Sequence, residues 1–213
     1  MKFLEEAIEA YVERYTTQES EVLKELNRET YSKVLIPRML AGHLQGRVIS
    51  MFSHMIRPRQ VLEIGTYTGY SALCWAEGLQ DGGQVHTIDV NEELEEMVAR
   101  YISKAGQTSK VATYLGNAVD IIPSIDQTFD VVYIDADKEN YSIYFDLVID
   151  RVPTGGYIIA DNVLWSGKVV EKAESHDEDT RSLVSYCEKI QGDPRVDNVL
   201  FPVRDGLLVA RKL

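Results

Sequence analysis

Two short stretches in the second half of the chain hold the residues best suited to chemistry. Asp135 and Lys138 stand three apart in YIDADKENY (133–141), and the apolar run YIIAD (157–161) ends in Asp161 followed by Asn162. Two carboxylates and an amide offer only oxygen, a hard donor set suited to Mg²⁺, or to Mn²⁺ or Ca²⁺, with water-filled positions left for substrate oxygens. Without an ion the two acids repel, and one has to take up a proton. A lysine one turn beyond Asp135, beside such an ion, can give up its proton and serve as a general base. The plainer alternative is that Asp135 caps a helix, Asp161 and Asn162 shape a loop and Lys138 is solvated, and it stays open at this point.

A second constellation lies upstream. Glu63-Ile64-Gly65-Thr66-Tyr67-Thr68-Gly69-Tyr70-Ser71 is a glycine-bearing turn between an apolar run and a helical stretch, and Asp89 closes the next apolar run. The turn is not GxGxxG, because Tyr67 fills the second glycine position, where a side chain crowds a pyrophosphate. An acidic Glu63 also repels phosphate, and it suits the cationic amino-acid part of S-adenosylmethionine. Asp89 is placed to accept both ribose hydroxyls, a role shared by NAD-binding and S-adenosylmethionine-binding folds. Read blandly, Gly65 and Gly69 only make a tight turn and Asp89 caps a helix starting at Asn91.

These residues need a scaffold that brings strand ends together, and the periodicity supplies one. The apolar runs 61–65, 85–89, 111–115, 130–135 and 157–161 alternate with stretches of helical length and period. That alternation predicts an α/β fold, a doubly wound and mostly parallel sheet, whose ligands bind beyond the carboxyl ends of the strands. The tail, NVLFPV (198–203), Asp205-Gly206 and LLVARKL (207–213), predicts a β-hairpin that leaves one strand antiparallel. Ahead of the sheet, apolar residues from Phe3 to Leu26 at spacings of three and four predict one or two amphipathic helices packed on something else. A further helix over about 38–56 is expected to end at Arg57-Pro58. At the usual ~100–200 residues per domain the chain is read as one domain, 1–213, with an N-terminal helical segment (1–57) and an α/β core (58–213).

Composition narrows the partners. There are 34 Asp+Glu against 22 Lys+Arg, a formal net charge of −12, which argues against nucleic acid because cations must neutralise its phosphates. No run of about 18 uncharged apolar residues and no basic, then apolar, leader pattern is present, so neither a membrane span nor export is expected. Cys74 and Cys187 stand far apart with no CxxC, which fits a reducing cytoplasm.

Taken in order, EIGTYTGYS, a strand-ending TID, DADKxNY and IIADNVLWSGKVV, with an Asp-Gly hairpin near the end, resemble the metal-dependent O-methyltransferases of the caffeoyl-coenzyme A and catechol type. The resemblance runs from about residue 34 to the end. It implies a seven-stranded Rossmann-like sheet with the last strand antiparallel, S-adenosylmethionine as cofactor, a small aromatic acceptor with vicinal hydroxyls, and often a homodimer. By position it implies cofactor contacts from Glu63, Gly65, Ser71, Asp89, Ala118, Asp135 and Tyr144. Asp135, Asp161 and Asn162 match the metal ligands, Lys138 the base, and Trp165 the acceptor site. The segment from Lys168 to Thr180 departs from the pattern by carrying more acid than base, which counts against a coenzyme A thioester. Two rival readings are an NAD-dependent oxidoreductase and a non-catalytic nucleoside- and metal-binding protein on the same fold.

Overall fold

The computed structural model describes residues 5–213; Phe3 and Leu4, the first apolar positions of the N-terminal pattern, lie outside the described residues. In chain order the elements are α1 (Glu6–Arg14), α2 (Glu21–Lys33), α3 (Gly42–Ile56), β1 (Gln60–Ile64), α4 (Tyr70–Ala76), β2 (Gln84–Asp89) and α5 (Glu95–Lys104). There follow β3 (Val111–Leu115), α6 (Ala118–Ile121), β4 (Val131–Ile134), α7 (Tyr141–Val148), β5 (Tyr157–Asp161), α8 (Glu178–Gly192), β6 (Val196–Phe201) and β7 (Leu207–Lys212). The strands form a seven-stranded sheet of order β3-β2-β1-β4-β5-β7-β6. β2 and β3 pair in parallel, as do β4 and β5, whereas β7 runs antiparallel to both β5 and β6. The expected mixed sheet with its closing hairpin is therefore present.

Strand composition explains the order. All of β4 and all but the first residue of β1 and β5 are buried, as central strands covered on both faces must be, and these are the continuous apolar runs of the sequence. At the edges, β3 and β6 alternate or open to solvent. Contacts divide the described chain into two compact units, one of Leu62–Gly65 with Ala118–Leu213, the other of residues 5–61 with Thr66–Asn117.

In the second unit α2 buries Leu23, Leu26 and Thr30, and the Ser20 hydroxyl caps its start by accepting from the Leu23 N–H. α1, by contrast, buries none of its residues. Of the one or two amphipathic helices expected here, α2 packs its apolar face within the chain and α1 does not. α3 begins later than expected, because Pro37–Met39 form a separate 3₁₀ turn. It ends as predicted, with Arg57 left-handed (φ 52°) ahead of Pro58.

Gly65 makes the most demanding turn in the first unit. It has φ +105°, and a Cβ there would lie 1.9 Å from the Asp135 carbonyl oxygen, while the Asp135 N–H donates to the Ile64 carbonyl at 2.8 Å. The exits of β1 and β4 therefore touch backbone to backbone. Gly65→Ala is expected to lower stability by at least about 2 kcal/mol, from left-handed strain plus a backbone overlap. Gly82→Ala, also left-handed (φ +73°) but facing open space, carries the strain alone and should cost about 1 kcal/mol. Urea unfolding of the two variants checks the ranking, and equal losses would contradict the close approach.

Candidate functional site

Parallel pairing of Ile134 with Ala160 sets Asp135 and Asp161 at matching ends of adjacent strands. Asp161 is 1% exposed. Its carboxylate accepts from the Tyr133 hydroxyl (2.8 Å) and from the Asn162 N–H (2.7 Å). Burial, and then the negative charge of Asp135, hold its pKa well above the usual carboxylate range, against the opposing pull of Tyr133 and Lys138.

Lys138 opens a 3₁₀ turn, Lys138–Asn140, that leads into α7. It is buried, and its Nζ donates to the Tyr141 hydroxyl (2.6 Å), to Asn162 Oδ1 (2.9 Å) and, at 3.4 Å, to Asp135 Oδ1. Three donors thus meet three oxygens. The Tyr141 hydroxyl in turn donates to the Asp161 carbonyl at 3.0 Å, and burial raises its pKa well above the ordinary value. Asp135, Asp161, Asn162 and Lys138 accordingly come together in one unit, as the sequence suggests. The oxygens of Asp135 and Asn162 face an ammonium, which occupies the place of a cation among them.

The donor chemistry fits a hard divalent ion. Oxygens of Asp135 and Asn162 converge on the Lys138 ammonium, and the fully buried Asp161 carboxylate lies near enough to feel the charges of both Asp135 and Lys138. No cluster of three or more His, Cys, Asp or Glu with a metal-holding arrangement exists among the described residues, since this set contains only two carboxylates.

Trp165 lies in a short loop after Asn162, half-buried, with Lys138 Nζ 5.7 Å and Lys168 Nζ 5.9 Å from its ring centroid. Tyr144 is buried and its hydroxyl donates to Asp137 at 2.6 Å. Glu63 is fully buried in β1, and Ala118 is buried at the start of α6.

In the other unit, Asp89 is committed to backbone. One carboxylate oxygen accepts from the Tyr67 N–H (2.6 Å) and the other from the Asn91 N–H (2.9 Å). The first bond holds Tyr67 left-handed (φ 49°), and the Tyr67 hydroxyl donates to the Ile36 carbonyl at 3.0 Å. A residue with a Cβ thus takes a glycine-like conformation because Asp89 fixes its amide. Gly69 is left-handed ahead of α4, whose second residue, Ser71, is buried. Thr66, Tyr67, Asp89, Leu94, Val98 and Leu115 line one hollow.

Tyr133 and Tyr141 are site residues that sequence reasoning misses. Both have a signal in the sequence: Tyr133 lies in β4 two residues before Asp135, which follows the strand, and Tyr141 follows Lys138 by three, one turn on.

No helix among the described residues is long and apolar enough to cross a membrane. The chain is similar to known proteins over most of its length. Tricin synthase 2 of Oryza sativa subsp. japonica is 34% identical over 207 residues, 92% of this chain and 70% of that protein. The caffeoyl-CoA O-methyltransferase of Petroselinum crispum is 34% identical over 210 residues, 92% of this chain and 86% of that protein. The O-methyltransferase from Bacillus cereus, solved in complex with SAH, superimposes with a TM-score of 0.89 at 28% identity, covering 97% of each chain. The O-methyltransferase family pattern itself runs through residues 13–213, taking in both constellations, and the chain belongs to that family.

Proposed function

We propose that this O-methyltransferase uses S-adenosylmethionine and a divalent cation to methylate one hydroxyl of a small aromatic vicinal diol. The observation that carries the reading is the convergence of Asp135 and Asn162 on Lys138, next to buried Asp161. Asp135, Asp161 and Asn162 would hold the cation, Mg²⁺ or Mn²⁺, which when bound supplies Lewis acidity and two-point attachment for the diol. Glu63, Gly65, Ser71, Asp89, Ala118, Asp135 and Tyr144 would hold the cofactor, the source of the methyl group. The SAH bound to the Bacillus cereus relative supports that choice. Tyr67, bulky and fixed where a dinucleotide fold needs glycine, disfavours the oxidoreductase reading.

This chain's own residues supply positioning and proton handling. Tyr141 and Asn162 hold Lys138 Nζ in place, and Trp165 offers an aromatic wall beside it. Lys138, once deprotonated, takes the proton of the attacking hydroxyl on Nζ. The cofactor, when bound, would supply the methyl group for that oxygen, its sulfur keeping the electron pair of the broken carbon–sulfur bond. Orientation of the reactants supplies most of the acceleration.

The acceptor side favours a substrate without phosphates. Lys168 pairs with Asp177 at 2.6 Å, and Asp177 also caps α8, so that lysine is already neutralised; Glu171, Glu174 and Glu178 stand exposed nearby and Asp179 is half-buried. A free catechol suits this segment better than the coenzyme A thioester named for the Petroselinum crispum relative. The same reading has the protein acting as a homodimer in the cytoplasm. Support for the dimer comes from α1, which buries nothing, and from exposed Leu35, Ile36 and Met39; two cysteines far apart in sequence with no CxxC fit a reducing compartment.

Chelation should abolish methyl transfer to catechol acceptors, and Mg²⁺ or Mn²⁺ should restore it; full turnover in excess chelator contradicts the metal reading. Lys138→Ala should lower kcat by roughly 10²–10⁴ with cofactor affinity little changed. A Lys138→Met variant with near-normal kcat would instead leave the lysine only an orienting role. Asp89→Ala should weaken S-adenosylmethionine binding by roughly 1.5–3 kcal/mol by calorimetry. Tight NAD binding with no heat from S-adenosylmethionine would favour the oxidoreductase.

A further inference from the structure

Between Asn162 and Gly167 the backbone is strained. Asn162 (φ 62°), Trp165 (φ 45°), Ser166 (φ 54°) and Gly167 (φ 84°) are all left-handed, and three of them carry a Cβ. Such residues cost on the order of 1–3 kcal/mol each and persist only where surrounding structure fixes them. Within the loop the Asn162 carbonyl accepts from the Trp165 N–H (3.0 Å) and the Leu164 carbonyl from the Gly167 N–H (2.8 Å). The Asn162 N–H bonds the Asp161 carboxylate, and the N–H groups of Val163, Leu164 and Ser166 are taken by the turn between β6 and β7. The Gly206 carbonyl accepts from Val163 (3.3 Å), the Asp205 carbonyl from Leu164 (2.8 Å), and Asp205 Oδ1 from Ser166 (2.6 Å). The turn and the loop are also in close contact, since a Cβ on Gly206 would lie 2.5 Å from Leu164 Cγ.

We propose that Asp205 is a positioning residue for the acceptor side of the site, clamping the strained loop so that Asn162 Oδ1 and the Trp165 ring keep their places beside Lys138. Of the three bonds from the turn, only the one to Ser166 runs through a side chain, so it can be removed without touching the loop or the turn backbone. It lands next to Trp165, at the most strained point of the loop. The proposal rests on Asn162 and Trp165 belonging to the site, and its first readout does not depend on the reaction.

The test uses the full chain with Asp205→Ala and Asp205→Asn. Trp75 is wholly buried in α4, so acrylamide quenching of tryptophan fluorescence reports on Trp165. Asp205→Ala should raise the quenching constant about twofold or more as the loop opens locally, and Asp205→Asn, which keeps the acceptor oxygen, should stay near wild type. In methyl-transfer assays Asp205→Ala should lower kcat about tenfold with the S-adenosylmethionine KM unchanged, and Asp205→Asn should recover most of it. Should Asp205→Ala fail to fold, Asp205→Glu, with the carboxylate displaced by one methylene, gives the same readouts. Wild-type quenching and kcat in the displaced or truncated variant would overturn the proposal. So would equal losses in the Ala and Asn variants that track a fall in thermal stability. Quenching that shifts as expected, in a protein inactive on every catechol, leaves the clamp standing and sinks the proposed reaction instead.

Discussion

Asp161 is a carboxylate with almost no solvent contact, set one strand away from a second carboxylate, and the surrounding architecture answers to it. An isolated buried charge is very costly, so such an acid is either protonated, hydrogen-bonded or matched by a cation. Here all the partners come from nearby chain: the Tyr133 hydroxyl and the Asn162 amide bond directly, while Lys138 gathers Asp135 and Asn162 around its ammonium. Five buried or half-buried polar residues from β4 and its exit, the turn before α7, and the end of β5 thus form a single network. Removing any one leaves another unsatisfied, and this is the sense in which the cluster is over-determined.

The parallel sheet is what makes that network possible. Parallel strands bring like ends together, so β4 and β5 deliver Asp135 and Asp161 to one place without either residue being near the other in sequence. The exit of β1 is locked to the exit of β4 through the Ile64 carbonyl and the glycine at 65. In the other unit the same strategy recurs with different chemistry. Asp89, at the end of β2, fixes the turn after β1 through the Tyr67 amide, and the Thr66 and Thr87 hydroxyls meet at 2.6 Å in the interior. Carboxylates at strand ends therefore organise the loops that follow them.

Much of this is legible in the sequence, and the limits have physical causes. Fully buried strands such as β4 and β5 appear as unbroken apolar runs, and an acid directly after such a run marks a strand end, so the pattern alone places Asp89, Asp135, Asp161 and Asn162. The seven-strand count comes from family resemblance, since the periodicity yields runs and not their order. Tyr133 and Tyr141 look like ordinary core aromatics in the sequence, and only side-chain direction reveals that their hydroxyls reach Asp161 and Lys138. The loop from Asn162 to Gly167 is harder still. Left-handed Trp165 and Ser166 contradict local preference, and they are stabilised by a turn some forty positions downstream, at Asp205 and Gly206, that no local pattern connects to them. For α1, the periodicity establishes that an apolar face exists, but it cannot place that face's partner within the same chain.

The proposed function stands or falls on whether the oxygens of Asp135, Asp161 and Asn162 hold a hard divalent cation. Anomalous diffraction from crystals soaked in Mn²⁺ tests this most directly, because the scattering locates the ion independently of any assay. A single strong peak is expected within coordinating distance of those three side chains, lost in Asp161→Asn, with Lys138 Nζ drawn away from Asp135. A peak elsewhere, or none at this cluster at Mn²⁺ concentrations that sustain turnover, would contradict it.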